Sequence, residues 1–388
     1  MATTIVSGVQ YSGIWTMQQV NAAIAAGTWP VPPGPSLLAW GRNSQGQLGL
    51  GNTTYYSSPK QVGALKTWST VSAGNQSSAA IKTDGTLWTW GLNTYGQLGT
   101  GNTTSVSSPV QVGALTNWSS VFSSASNGTF SIKSDNTLWA WGQNDYGQLG
   151  TSNTTYYSSP KQVGALTNWS QVVGGHQYTL AVKTDNTLWG WGYTFQGQIG
   201  NGSSGFGNIQ SPVQVGAAIS WGKTYAGYFN SYGISTSGGL WSWGAGGSGQ
   251  LGLGNTTDYS SPKQVGALTD WLDVAGYYGW AVAVKTNGTI WGWGANAQGQ
   301  LGLGNTTSYS SPKQIGALTS WTKIYAGKGP YSVLAIKNDG TLWAWGGNSN
   351  GQLGLGNTTG YSSPKQVGTA TNWLSASLSN TALAIATI

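Results

Sequence analysis

The sequence predicts an all-β fold, a seven-bladed β-propeller of four-stranded blades with a short N-terminal helical arm. Three observations lead there. The stretch Leu87-Trp88-Thr89-Trp90-Gly91 recurs around Trp139/Trp141, Trp189/Trp191, Trp241/Trp243, Trp291/Trp293 and Trp343/Trp345, with a weaker first copy at Leu37-Leu38-Ala39-Trp40-Gly41, so seven copies lie 50 to 52 residues apart. The apolar runs within each period are short and bounded by Gly, Asn, Asp and Pro, a strand-and-turn alphabet. The first and last strands of the series are each missing the partner that the other offers.

Residues i and i+2 of a strand share a face. Each motif copy therefore places two indoles on one face and Leu on the other, and such a strand needs cover on both sides. A ring of sheets, each packed between two neighbours, supplies it. Asp84-Gly85, Asn287-Gly288 and Asp339-Gly340 mark a tight turn between an Ala-Ile-Lys strand and the Trp-x-Trp strand, which predicts an antiparallel hairpin. The copy at 37–41 has no preceding Ala-Ile-Lys strand, and Leu383-Ala384-Ile385-Ala386-Thr387-Ile388 has no following Trp-x-Trp strand. Pairing these two closes the ring and leaves short protected edges.

Residues 1–35 lie outside the repeat, and 36–388 form the propeller. Thr16-Met17-Gln18-Gln19 has the form of a capping box, and Met17, Val20 and Ile24 then share one helical face. Gly27 and Pro30 end the pattern, which predicts a short amphipathic helix over 17–26 flanked by Trp15 and Trp29. A Pro-rich linker follows from Pro30 to Pro35. So short a helix is marginal alone, so Trp15, Met17, Val20, Ile24 and Trp29 rest either on the propeller or on a partner. The stretch from Tyr11 to Pro30 resembles the leader of some phage virion proteins, particularly tail-associated ones.

Composition excludes several functions. There is no Cys, hence no disulfide and no thiolate metal site. The net charge of +7 is spread along the repeat and not gathered in a dense basic patch, so no nucleic-acid partner is expected. No apolar run approaches the ~20 residues of a membrane span, and no basic segment with an apolar core marks a signal peptide. There is no Glu, the single His is His176, and no phosphate loop, zinc spacing or nucleophile elbow is present. Asp84, Asp135, Asp185 and Asp339 are equivalent turn residues beside Lys82, Lys133, Lys183 and Lys337, explained by turn formation and exposed pairing. No enzyme activity and no cofactor are expected. The Asn-Thr-Thr copies (Asn52, Asn102, Asn153, Asn255, Asn305, Asn357) match the glycosylation pattern, but hydrogen-bonded turns explain them more simply.

Gly41-Arg42-Asn43-Ser44-Gln45-Gly46-Gln47-Leu48-Gly49-Leu50-Gly51 resembles the repeat of the regulator of chromosome condensation family, as does Gly174-Gly175-His176-Gln177-Tyr178-Thr179-Leu180-Ala181-Val182. The resemblance implies a seven-bladed propeller. It does not imply one function, since such propellers serve in nucleotide exchange on the GTPase Ran, in β-lactamase inhibition and as binding modules. The exchange function maps onto no identifiable residues here.

Departures from the repeat point to a face. Length and sequence vary most in the turn between the Trp-x-x-Val and Ala-Ile-Lys strands, and a second insertion spans Gly202 to Asn208. Strand alternation puts these turns and the Gly-x-Asn-x-x-Gly loops on one side, here called the top. The Asp-Gly turns and the incoming linker fall on the bottom. Tyr178, Tyr228, Phe229, Tyr232, Tyr277, Tyr278, Trp280 and Tyr331 are then candidates for a top contact face, unless they tuck into the blades. The resulting expectation is a non-enzymatic phage virion protein, tail- or neck-associated. Its arm binds virion structural proteins, its propeller faces a host-surface protein or glycan, and homo-oligomers form in the particle. The alternatives are a free or cell-surface protein-binding or inhibitor propeller and, more distantly, an enzyme acting on surface glycans.

Overall fold

The computed structural model describes residues 4–6, 9–11, 34–329 and 331–387. The helix expected over 17–26, with Trp15, Met17, Val20, Ile24 and Trp29, lies outside the described residues. Within the arm, Thr4–Val6 and Val9–Tyr11 pair antiparallel, a hairpin the sequence reading did not anticipate.

Seven four-stranded antiparallel sheets form a ring. Blade 2 shows the plan: Trp68–Ala73 lines the axis, then come Ser77–Lys82, Leu87–Gly91 and the outermost strand Val106–Gln111. Blades are numbered by their Trp-x-Trp copy. Blade 1 is the closing blade. In it Trp373–Leu378 and Thr381–Thr387 join Pro35–Gly41 and Tyr56–Gln61. Pro35 pairs with Thr387 and Gly41 with Thr381, as the unmatched ends of the repeat require.

Burial follows from position in the sheet. All six residues of the second strand are buried in every blade from 2 to 7, because neighbouring blades cover both of its faces. The outermost strand is half-exposed and reads Ser-Ser-Pro-Lys-Gln in five blades. Proline is tolerated at an edge, and lysine there discourages pairing with another chain. Lys60, Lys161, Lys263, Lys313 and Lys365 each lie 5.5–6.0 Å from the ring of the tyrosine four residues earlier.

The core lies between blades. One cluster, for example, joins Leu37, Leu48, Val62 and Leu383 of blade 1 to Trp68, Ala80 and Trp90 of blade 2. The two motif indoles have different jobs. The first, such as Trp88, is half-buried, bonds Thr86 Oγ1 through Nε1 and carries the Lys82 ammonium 3.5 Å above its ring. The second is fully buried and donates to a glutamine carbonyl of the preceding blade. Trp90, Trp141, Trp191, Trp243, Trp293, Trp345 and Trp40 bond Gln47, Gln97, Gln148, Gln198, Gln250, Gln300 and Gln352 at 2.7–3.0 Å. This cycle runs once around the ring. The glycine two residues after each Gln permits it: a Cβ on Gly99 would stand 2.6 Å from Trp141 Nε1, and its φ of +72° suits glycine.

The Asp–Lys pairing expected at the bottom turns is not what holds them. Asp84 accepts from Thr86 N and Thr86 Oγ1, as do Asp135 and Asp339 from Thr137 and Thr341. These bonds, ahead of the nearby lysine charge, lower the Asp84 pKa. The lysines bend back over the indoles instead, a use of their charge that survives partial burial. Among the described residues the ion pair present is Lys285–Asp270, at 3.2 Å. The Asn-Thr-Thr copies are turns: Asn52 Oδ1 accepts from Thr54 N at 3.0 Å.

Candidate binding face

Top and bottom fall where strand alternation puts them. Leu92 N–H bonds Gln76 O, joining loop and variable turn at the top, while Thr83 N–H bonds Thr67 O at the bottom. Gly34 reaches the ring beside Lys66, on the bottom side.

Five of the seven top loops share one clamp. In blade 3, Asn144 Nδ2 donates to Asn153 O at 2.9 Å and Thr155 O at 3.1 Å, and Oδ1 accepts from Leu149 N at 2.9 Å. Asn43, Asn93, Asn296 and Asn348 do the same. Blades 4 and 5, which are adjacent, replace this residue by Thr194 and Gly246. Thr194 Oγ1 instead bonds Gly205 O and Gly207 O at 3.0 Å, pinning the 202–208 insertion. Gly246 N donates to Asp258 Oδ1 at 2.7 Å. A Cβ on Gly246 would meet Thr257 O at 2.1 Å, so the loop closes here only without a side chain.

Aromatic rings gather over the same blades. His176 stacks on Tyr228 with centroids 4.1 Å apart and planes 9° from parallel. Tyr228 meets Phe229, Tyr278 and Tyr277 at 4.5, 5.0 and 5.5 Å. Phe229 continues to Tyr193, Tyr193 to Phe195, and Phe195 to Phe206 at 6.2, 5.9 and 4.6 Å. Tyr146 of blade 3 joins at Tyr193, 4.6 Å away. The net is partly open to water: Phe206 is 87% exposed, Tyr278 55% and Phe195 36%. Burial lowers the His176 pKa to about 4, so the imidazole is neutral near pH 7 and stacks as an aromatic ring.

Of the eight aromatic candidates, Tyr228, Phe229 and Tyr278 meet here on the surface. Four are corrected to interior positions. Tyr178, Tyr232 and Trp280 begin or lie within second strands and are at most 1% exposed, since adjacent blades close over those strands. Tyr178 O–H donates to Asn230 O and Tyr232 O–H to Gln250 O, both at 2.8 Å, satisfying the phenols inside. Tyr277, 8% exposed, lies beneath Tyr228. Tyr331 is half-buried, packs against the core between blades 6 and 7 and stands apart from the net. Sequence reasoning missed Tyr193, Phe195, Phe206 and Asp258. The loss of the clamping Asn at Thr194 and Gly246 was the available signal.

A cleft of about 470 Å³ opens at the edge of the net, lined by Gln196, Tyr228, Phe229, Ser248, Asp258 and Tyr278 among others. Gly247 and Gly279 also line it, and Asp258 is the charged group in its lining.

The axial channel is narrow, about 200 Å³, and lined by first strands of all seven blades. Lys328 of blade 7 crosses it, donating through Nζ to Ala73 O of blade 2 and Ser123 O of blade 3, with the Phe122 ring 3.8 Å away. Desolvation pushes its pKa down to about 7. Lower in the channel Tyr225 O–H donates to the buried Asp273 carboxyl, whose pKa is raised by burial.

Known proteins with this architecture are numerous. The ultraviolet-B receptor UVR8 of Arabidopsis thaliana is 28% identical over 238 residues, 57% of this chain and 51% of the receptor, so the chain matches about half the length of that relative. The structure of human WBSCR16 superposes with a TM-score of 0.80 at 20% identity, covering 91% of this chain and 99% of that one. Prp20p of Saccharomyces cerevisiae superposes at 0.79 with 17% identity over 92% of each chain. Both likenesses establish the fold. Regulator of chromosome condensation (RCC1) repeats match residues 287–329 and 339–382, and the RCC1-like domain matches residues 34–278. With well over half of its length in that match, the protein belongs to the RCC1-like domain family.

Proposed function

We propose that this propeller is a non-enzymatic binding module that meets its target through the top of blades 4 to 6. One observation carries the reading: the aromatic net and its cleft coincide with the two adjacent loops that abandon the Asn clamp kept by the other five. Aromatic rings with polar tips suit contact surfaces, and exposed clusters of them mark interaction sites. The finer reading is a phage virion protein, tail- or neck-associated, with residues 1–35 as the anchor. The resemblance of Tyr11 to Pro30 to phage leaders supports it, as does the arrival of the chain at Gly34 on the face opposite the net.

Two experiments test these readings. The full chain carrying Tyr228→Ala, Tyr278→Ala and Phe206→Ala together should lose adsorption to host-culture cells by at least about tenfold, equivalent to ~1.4 kcal/mol, with its melting curve unchanged. Unaltered adsorption would remove the contact face. Deleting residues 1–33 should keep the protein out of particles while leaving the propeller folded, and continued incorporation would exclude the anchor.

A further inference from the structure

The cleft beside the aromatic net has a chemistry of its own. Its volume, about 470 Å³, lies within the ~300–1,000 Å³ of small-molecule sites. Part of its lining is aromatic: Tyr228 and Tyr278 meet edge to face with centroids 5.0 Å apart, and Tyr278 is more than half exposed. Gln196, Ser248 and Asp258 add polar side chains to the lining. Asp258 Oδ1 accepts from Gly246 N–H, which anchors a carboxylate that lines the cleft and can accept from hydroxyl groups. No Lys or Arg lines the space, so a carboxylated, sulfated or phosphorylated ligand would meet one negative charge and no counter-charge. Gly247 and Gly279 line it without side chains.

A flat ligand with an apolar face for the tyrosines and an edge of hydroxyls for Asp258, Gln196 and Ser248 matches this lining. We propose that the cleft binds a neutral saccharide ring, packed against the Tyr228–Tyr278 pair and held through its hydroxyls by Asp258. The assignment rests on the top face being the binding face and specifies its ligand class. A free oligosaccharide and the same sugar within a surface polysaccharide share this chemistry.

The test uses the full chain and saturation-transfer NMR, with glucose, galactose, mannose and N-acetylglucosamine oligosaccharides as neutral probes and glucuronic acid and sialyllactose as charged ones. At least one neutral probe should bind, and at least about tenfold more tightly than the charged ones. Asp258→Asn, which keeps an acceptor for Gly246 N–H, and Tyr278→Ala should each weaken it by about tenfold, or ~1.4 kcal/mol, without moving the melting curve. A polysaccharide extracted from host-culture cells, competing with the bound probe, identifies the surface source; failure to compete assigns the free sugar. Absence of binding by every neutral probe at millimolar concentration, a preference for the charged probes, or indifference to both substitutions would overturn the proposal. If the sugars fail while the triple aromatic variant still loses cell adsorption, the face stands and the ligand class falls. If both fail, the face falls too.

Discussion

Replacing Trp345 by Phe is expected to destabilise the ring more than replacing Trp141 by Phe, although both indoles are fully buried and occupy equivalent positions. Each substitution removes part of a 0%-exposed side chain and one hydrogen bond to the preceding blade. The cavity terms are therefore similar. The difference lies in the acceptor left behind. Gln97 O also accepts from Thr129 Oγ1 at 2.8 Å, so in W141F it keeps a partner. Thr129 pairs with Trp141 across the hairpin, and the residue in that register opposite Trp345 is Val333, which has no hydroxyl. Among the described residues, Trp345 Nε1 is the side-chain donor to Gln300 O. In W345F that buried carbonyl loses it, at a cost of about 1–3 kcal/mol for an unsatisfied group. We expect an extra destabilisation of about 2 kcal/mol. Urea unfolding followed by far-UV circular dichroism measures it, provided the slopes of the two variants agree. Val333→Thr in the W345F background should recover most of the gap by restoring a donor. Equal midpoints for W345F and W141F, or a lower one for W141F, would refute the reasoning.

Two further outcomes follow from buried polar groups. Lys328 releases its proton near pH 7 in the native ring, whereas the unfolded chain keeps it to about 10.5, so unfolding takes up a proton between those values. Stability should therefore rise with pH across that window, by up to about 1.4 kcal/mol per unit, and Lys328→Met should flatten the rise; urea midpoints at pH 7 and 9 decide it. Asn144→Ala should cost about 3 kcal/mol, because three hydrogen-bonded backbone groups lose their partner at a 0%-exposed site. Faster amide exchange confined to residues 149–155 would accompany it, and unchanged exchange there would contradict the clamp.

The ring, its closure and its two faces were legible because a repeat exposes its own grammar: a strand without a partner at 37–41 and another at 383–388 can satisfy only each other. The aromatic net was legible in part. Tyr178, Tyr232 and Trp280 read as turn residues, yet the second strand begins one to three positions earlier than the sequence suggests, and a residue inside that strand is covered by its neighbours. The lysine–indole stacking was hidden for another reason. Lys82 and Asp84 adjoin in sequence, and nothing in that spacing reveals that Thr86 claims the carboxylate first. The glutamine carbonyls that receive the indole bonds are backbone groups, so their role leaves no mark on residue type. Thr194 and Gly246 did leave one, since a clamp present in five copies and missing from two neighbours is visible by laying the repeats side by side.

Pairing the strand at 35–41 with the one at 381–387 also sets a timetable. The second is made about 340 residues after the first. At ~5–20 residues per second, roughly 15–70 s of synthesis separate them. Throughout that interval Leu37 and Trp40 exist without the strand that pairs with theirs, and six blades can be complete while the ring stays open. The nascent chain thus carries an unpaired apolar strand edge throughout that interval, the kind of surface that invites association with another chain. Crowded polysomes, where neighbouring copies of the same strands are close at hand, are where exchange of the closing pair between molecules would begin.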